Sequence, residues 1–301
     1  MYYIVYYIFY FFSLLPWFII YRISDLLYFL TYYVLGYRKE VVMNNLAIAF
    51  PEKSEKERIR IAKEMYKRLI DTFLETLKAL SISKEELNKR FQANYEVVND
   101  LYESGQNVQL HGGHFFNWEY TNLAYCLNIK YPFTGVYYPL SNKIFDKIMY
   151  DLRSKFGSIL IPAPTFNRQF LKIAKGRYVL TLGGDQNASN LGAAYWLPLF
   201  GKMAPFVTGL ERMAVAKDTA IVMCTTYRVK RGYYKSEFSL FTTQPSTLPK
   251  GAITIGFRDY LENQIRLRPE NYLWTHKRWK HQFDPNKFAE MVLEDVNKTA
   301  S

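Results

Sequence analysis

The 301-residue sequence predicts an α/β fold: a mainly parallel sheet flanked by helices, preceded by an N-terminal hydrophobic helix associated with a membrane. Three observations carry that reading. First, short β-rich runs alternate with longer amphipathic stretches between residues 106 and 265, the pattern of repeated strand–helix units. Second, Met1–Tyr21 carries no charged side chain. Third, three polar clusters each follow a strand candidate: HGGHFFNWE (111–119), PLSN (139–142) and GGDQN (183–187). In open α/β sheets, binding sites collect at the carboxyl ends of strands.

Taken in order, MYYIVYYIFYFFSLLPWFIIY would make a helix about 31 Å long, close to one hydrocarbon core thickness. Pro16 interrupts it, so a kinked or partly inserted helix competes with a clean span. The basic leader and small-residue cleavage site of a signal peptide are missing. Arg22, Arg38 and Lys39 follow the apolar run, which puts the rest of the chain in the cytoplasm if the segment spans. Ser54 then caps a long helix. Ile59, Ile61, Met65, Leu69, Ile70, Phe73, Leu74 and Leu77 form its apolar stripe, and Lys56, Arg60, Lys63 and Lys67 lie on its outer face.

Strands are expected at 107–110, 133–137, 158–161 and 178–182, with longer ones at 220–229 and 234–242. Helices are expected at 117–127, 142–156, 166–174, 205–216 and 253–265.

Composition narrows the function. Aromatics make 18% of the chain, with 26 Tyr, 22 Phe and 5 Trp, a content suited to a wet–dry interface. The net charge of +12 implies an acidic partner. No nucleic-acid motif accompanies it, so anionic lipid or an acidic protein is the expectation rather than nucleic acid. Cys126 and Cys224 lie in apolar surroundings, as buried free thiols do.

HGGHFFNWE is the stretch richest in chemistry. On one continuous helix, His114 and Glu119 would differ by about 140° in azimuth. With His114 in the turn and Glu119 in the first helical turn, the carboxylate can reach the imidazole, fix its tautomer and raise its basicity. Gly112 and Gly113 permit close backbone approach. Two other readings stay open on these residues alone. His111, His114 and Glu119 are possible metal ligands, although no Cys or Asp cluster completes a set. A tight turn with satisfied histidines also fits, and a structural turn residue is the default for His111.

Several stretches in fixed order resemble a known family. They are LGYRKEVVMNNLAIAFPE (35–52), VYYPLSNKIFDKIMYDLRSKFG (136–157), GGDQN, LPLFGKMAPFVTGLERMA (197–214) and PENYLWTHKRWK (269–280). Together with the His-x4-Glu motif, they resemble the late acyltransferases of lipid A biosynthesis within the lysophospholipid acyltransferase superfamily. The resemblance spans almost the whole chain. It implies an acyltransferase that moves a fatty acyl chain from an acyl carrier protein, or coenzyme A, to a hydroxyl of a lipid A precursor. His114 would be general base and Glu119 its orienting partner. Arg153 and Asp185 would bind substrate.

The resemblance implies no cofactor beyond the acyl donor, and no metal. It implies an inner-membrane location with residues 1–36 as anchor, 37–301 as catalytic domain facing the cytoplasm, and anionic lipid as a neighbour. The sequence departs from the family where Asn187 stands in place of a second acid, and where Glu119 replaces the Asp of related enzymes. A different glycolipid, aminolipid or lysophospholipid acceptor, a metal-dependent hydrolase, and a non-catalytic membrane-surface protein are the competing readings.

Overall fold

A seven-stranded sheet forms the centre of the computed structural model, which describes residues 1–293. The chain begins with helices α1 (Tyr2–Ser13), α2 (Trp17–Phe29), α3 (Lys39–Ala49), α4 (Glu55–Ala79) and α5 (Lys84–Arg90). Strand β1 (Phe91–Ala93), α6 (Glu96–Glu103), β2 (Val108–Gly112), α7 (Trp118–Asn128), β3 (Phe133–Tyr137), α8 (Lys143–Arg153), β4 (Ile159–Pro162), α9 (Phe166–Ile173) and β5 (Val179–Gly183) follow. The chain continues through β6 (Ala194–Leu199), β7 (Lys202–Val207), α10 (Gly209–Lys217), β8 (Ala220–Lys230), β9 (Tyr233–Thr242) and α11 (Ala252–Leu267). The sheet order is β1-β9-β8-β2-β5-β3-β4. Only β8 and β9 pair antiparallel, so the α/β class with a mainly parallel sheet holds.

Period-two alternation splits the core between the two faces of the sheet. From β8, Val222 and Cys224 pack with Val108 and Leu110 of β2 against α7 residues Tyr120, Leu123 and Ala124. Ile221 and Met223 point the other way, into a cluster with Leu46, Met65, Phe206, Phe257 and Leu261. Helix α4 opens on the expected Ser54 cap. Its hydroxyl accepts from Glu57 N, and the Glu57 carboxylate accepts from Ser54 N at 2.9 Å.

One expectation is corrected. Residues 205–207 are strand rather than helix, because β6 and β7 form a hairpin across Phe200–Gly201. Both turn residues have positive φ, 51° and 75°, which matches the right-handed twist of the flanking strands. Leu197, Leu199, Ala204 and Phe206 carry its inner face into the core. Helix α10 starts only at Gly209.

Of the two sequence readings of residues 1–21, the kinked helix is the one observed: they are not one rod. Around Pro16 the chain turns by 108° between α1 and the continuous helical stretch 17–34. Pro16 has no N–H to give the first helix and sits at the N-cap of the second. No single helix among the described residues is long and apolar enough to cross a membrane; the bent pair meets that length and composition only together.

A buried ion cluster fixes α2 on α4 and on the β8–β9 hairpin. Asp71 accepts from Ser24 Oγ at 2.6 Å, from Arg228 Nη1 at 2.9 Å and from Arg231 Nη2 at 2.6 Å, while Arg231 also reaches Asp25 at 2.7 Å. The Asp71 carboxylate is buried and the Arg231 side chain is 32% exposed. Removing one member of a buried pair leaves its partners uncompensated. Asp71→Asn is therefore expected to lower the unfolding free energy by about 3 kcal/mol, the modest end for such a loss because solvent reaches Arg231. Urea unfolding of the two proteins measures it.

Candidate active site

Register places the site. In the parallel pairing of β2 with β5, Gly112 stands opposite Gly183. Two residues further on in each strand's continuation come His114 and Asp185, and the two side chains meet. Asp185 Oδ1 lies 2.6 Å from His114 Nδ1, and Asp185 Oδ2 accepts from the His114 backbone N–H at 2.9 Å. The imidazole rests on Gly183, where a Cβ would come within 2.9 Å of its Cε1, so only glycine fits there. The third polar cluster, PLSN, follows β3, and Asn142 from it caps α8.

Asp185 is buried, whereas the His114 side chain is 34% exposed. Burial pushes the His114 pKa down. The Asp185 carboxylate charge and the hydrogen bond it accepts from the ring outweigh that and leave the imidazole above its ordinary value. Burial pushes Asp185 up in turn, but His114, with its ring and backbone donors, and the Tyr272 hydroxyl hold it at about 2. An ionised Asp185 on Nδ1 keeps the proton on that nitrogen and leaves the Nε2 lone pair outward. Among the described residues no hydrogen bond occupies Nε2.

Glu119 does not orient His114, contrary to the expectation from the His-x4-Glu spacing. It sits in the first turn of α7, buried, and the guanidinium of Arg153 on α8 holds it by two bonds, Nε to Oε2 at 2.9 Å and Nη2 to Oε1 at 2.5 Å. Trp118 links the two pairs. Its indole N–H donates to Glu119 Oε1 at 3.2 Å, and its ring lies edge-on to His114 with centroids 6.4 Å apart. The spacing that brings Glu119 close to His114 in sequence thus serves the arginine. The position on His114 belongs to Asp185, expected as a substrate-binding residue. Arg153 keeps its pKa above the ordinary value: burial lowers it, and the bond and charge of Glu119 more than compensate.

His111 is a core residue of β2 rather than a turn residue. Its Nε2 lies 2.9 Å from the Gln109 side-chain amide, and burial drives its pKa down to about 3, so it stays neutral. The metal arrangement of His111, His114 and Glu119 is therefore not assembled. Among the described residues no group of three His, Cys, Asp or Glu side chains lies close enough to hold an ion.

The turn is clamped from behind by the 269–276 segment. Leu273 N donates to His114 O at 3.2 Å, and Phe116 N donates to Asn271 O at 3.1 Å. Asn271 is anchored through its own amide to Thr226 O at 2.6 Å and accepts from Arg68 at 3.0 Å. Asn45 of α3 donates to the carbonyls of Trp274 and His276, each at 2.8 Å. Asn187 donates to Lys277 O at 2.8 Å and accepts from Arg278 at 3.1 Å. That makes Asn187 a tie between the β5 loop and the same segment.

Sequence reasoning missed Glu75. This buried α4 residue accepts from Tyr234 OH at 2.6 Å, Asn117 Nδ2 at 3.0 Å and Tyr21 OH at 3.0 Å. Asn117 caps α7 and so sets the direction of Glu119. The signal was a carboxylate in helical register with Ile61 and Met65, on the buried face of α4.

The blocks that carry the family resemblance are thus the ones that meet in space. The model of the family of bacterial lipid A biosynthesis acyltransferases matches residues 1–281. The chain belongs to that family and is an acyltransferase. The lipid A biosynthesis lauroyltransferase of Escherichia coli (strain K12) is 23% identical over 272 residues, covering 88% of this chain and 87% of that protein. The lipid A biosynthesis palmitoleoyltransferase of the same organism is 22% identical over 255 residues, covering 81% and 79%. Membership sets aside the reading as a non-catalytic surface protein.

Burial raises the pKa of Glu75 from its ordinary 4.5 to about 7, against the pull of its three donors. The folded state therefore holds this proton more tightly than the unfolded chain. The stabilisation is fully present below about 4.5 and is lost as pH rises through about 7. Glu75→Gln is expected to flatten the fall in stability across that window. Thermal unfolding of both proteins at pH 5 and pH 7.5 checks it.

Proposed function

We propose that the protein transfers a fatty acyl chain from a carrier thioester to a hydroxyl of a lipid A precursor, with His114 as general base. The observation that carries the chemistry is the half-exposed imidazole with Asp185 on one nitrogen and the other nitrogen unoccupied. His114 Nε2 takes the proton of the acceptor hydroxyl as its oxygen attacks the thioester carbonyl carbon. The tetrahedral intermediate collapses, the carbon–sulfur bond breaks, and the imidazolium returns its proton to the leaving thiolate. The products are an ester and a free thiol.

A direct attack of this kind fits the absence, among the described residues, of a Cys beside the base. Cys224 lies buried in the core, with burial pushing its thiol up to about 12. Glu119 holds the Arg153 guanidinium in one orientation, and Arg153 then offers its remaining donors to negative charge on the acceptor or the transition state. Acidic acyl carrier protein is the favoured donor over coenzyme A, because the chain carries +12 and electrostatic steering accelerates such encounters. The reading needs no metal and no cofactor beyond the donor. The named activities of the Escherichia coli relatives and the apolar N-terminal helices support an inner-membrane location with the catalytic domain on the cytoplasmic side.

The test supplies labelled acyl carrier protein thioester and an under-acylated lipid A precursor to the detergent-solubilised full chain. A heavier lipid product is expected. His114→Ala is expected to make it at least about 10²-fold more slowly, the usual worth of a general base. Thioester hydrolysis without transfer would point to another acceptor, and no reaction with the thioester would sink the proposal.

A pH profile separates Asp185 from a merely structural residue. With His114 raised, kcat/KM is expected to increase with pH through a limb above the ordinary histidine value of about 6.5. Asp185→Asn removes the raising influence and leaves burial. The limb then moves to lower pH while the plateau drops by about 10²- to 10⁴-fold, through loss of the tautomer lock. A plateau loss with an unmoved limb would contradict the assigned role.

A further inference from the structure

We infer that α1 and α2 lie in the plane of an anionic membrane surface, half-sunk in one leaflet, rather than crossing it. The inference deepens the membrane location proposed above and rests on it. Three independent features point the same way.

First, α1 is fastened to the folded domain along its whole length. At its start the Tyr2 hydroxyl donates to Asp151 Oδ2 of α8 at 2.5 Å. Midway, the Phe9 and Phe145 rings stand 5.8 Å apart. At its end Lys78 Nζ donates to the carbonyls of Ser13 and Leu15 at 2.7 and 2.9 Å, and Ser81 Oγ donates to Ser13 O at 2.8 Å. Helix α2 is tied by Ser24 and Asp25 to the Asp71–Arg231 cluster and by Tyr21 to Glu75. To span a bilayer, α1 would have to break every one of these contacts and carry Tyr2 to the far side.

Second, the face turned away from the domain is apolar and open. Tyr3, Tyr7, Phe11 and Phe18 are 70%, 63%, 65% and 69% exposed. Tyr3, Tyr7 and Phe11 recur at helical spacing along α1, Phe18 is exposed in α2, and Phe145, which packs on Phe9, is itself 42% exposed. A patch of this kind needs a cover.

Third, the outward face of α1 carries Tyr3 and Tyr7 one turn apart, while Tyr2 and Tyr6 pack against the domain. Tyrosine prefers the headgroup boundary, which places this outer face there.

Lysines frame this surface. Lys147 Nζ lies 4.9 Å from the Tyr2 ring, Lys63 Nζ 5.5 Å from the Tyr33 ring and Lys67 Nζ 5.7 Å from the Tyr28 ring. Ammonium groups above an aromatic row match anionic headgroups above acyl chains.

Site-directed spin labels at Tyr3→Cys, Tyr7→Cys and Phe11→Cys, in the full chain reconstituted into phosphatidylethanolamine–phosphatidylglycerol vesicles, read the depth of each position. An in-plane helix gives three equal depths. A spanning helix gives a gradient of about 1.5 Å per residue, or about 12 Å between positions 3 and 11, and would overturn the inference. Labels as accessible to a water-soluble relaxant as in free solution would overturn it too. The combined Tyr3→Ser, Phe11→Ser, Phe18→Ser variant is expected to partition at least about a hundredfold more weakly into such vesicles with an unchanged melting temperature. Acyl transfer to detergent-dispersed acceptor, assayed separately, distinguishes a wrong anchor geometry from a wrong reaction.

Discussion

Everything at the site depends on the parallel pairing of β2 with β5. Because Gly112 stands opposite Gly183, the chain delivers His114 and Asp185 to the same height, two residues beyond the last rung. A slip of one residue would turn each side chain to the other face of the sheet. A slip that brought Leu182 to the position of Gly183 would also drive a Cβ into the imidazole. The 2.6 Å contact between Asp185 and His114 is thus a consequence of sheet register, and the core residues that fix the register position that pair.

Four buried carboxylates show how the same desolvation cost is met in different ways. Asp71 and Glu119 are matched by arginines, Asp185 by a histidine and a tyrosine, and Glu75 by three neutral donors. The outcomes differ in kind. A guanidinium keeps its partner in place and presents donors beyond it. The histidine becomes a stronger base. The carboxyl that lacks a cation drifts towards neutrality, with its pKa raised to about 7. Chemistry is placed where the compensating group is itself titratable and half-exposed.

Much of this was legible in the sequence. Alternating strands and helices gave the architecture to within a few residues, since the parallel strands are short, apolar and bounded by Gly or Pro. The polar clusters following β2 and β5 marked the His114–Asp185 pair, whereas the one following β3 supplies the cap of α8. Two things were hidden. The hairpin at Phe200–Gly201 was obscured because residues 205–216 also satisfy helical spacing, and pairing with β6 overrides that preference. The pairing of carboxylates was obscured because spacing along a chain says which groups are near, and not which cation takes them. Arg153 stands 34 positions from Glu119, and Asp185 stands 71 from His114. The Glu75 interaction draws on α2, α7 and β9 at once, and no local window contains it.

The clamp formed by residues 269–276 carries a consequence for how the protein is made. The apolar helices α1 and α2 precede in the chain, by more than two hundred residues, the segment that holds the His114 turn. A nascent chain therefore carries the His114 turn without its backing segment until synthesis has passed Trp274. The His114–Asp185 pair is among the last parts of the fold to gain its full support.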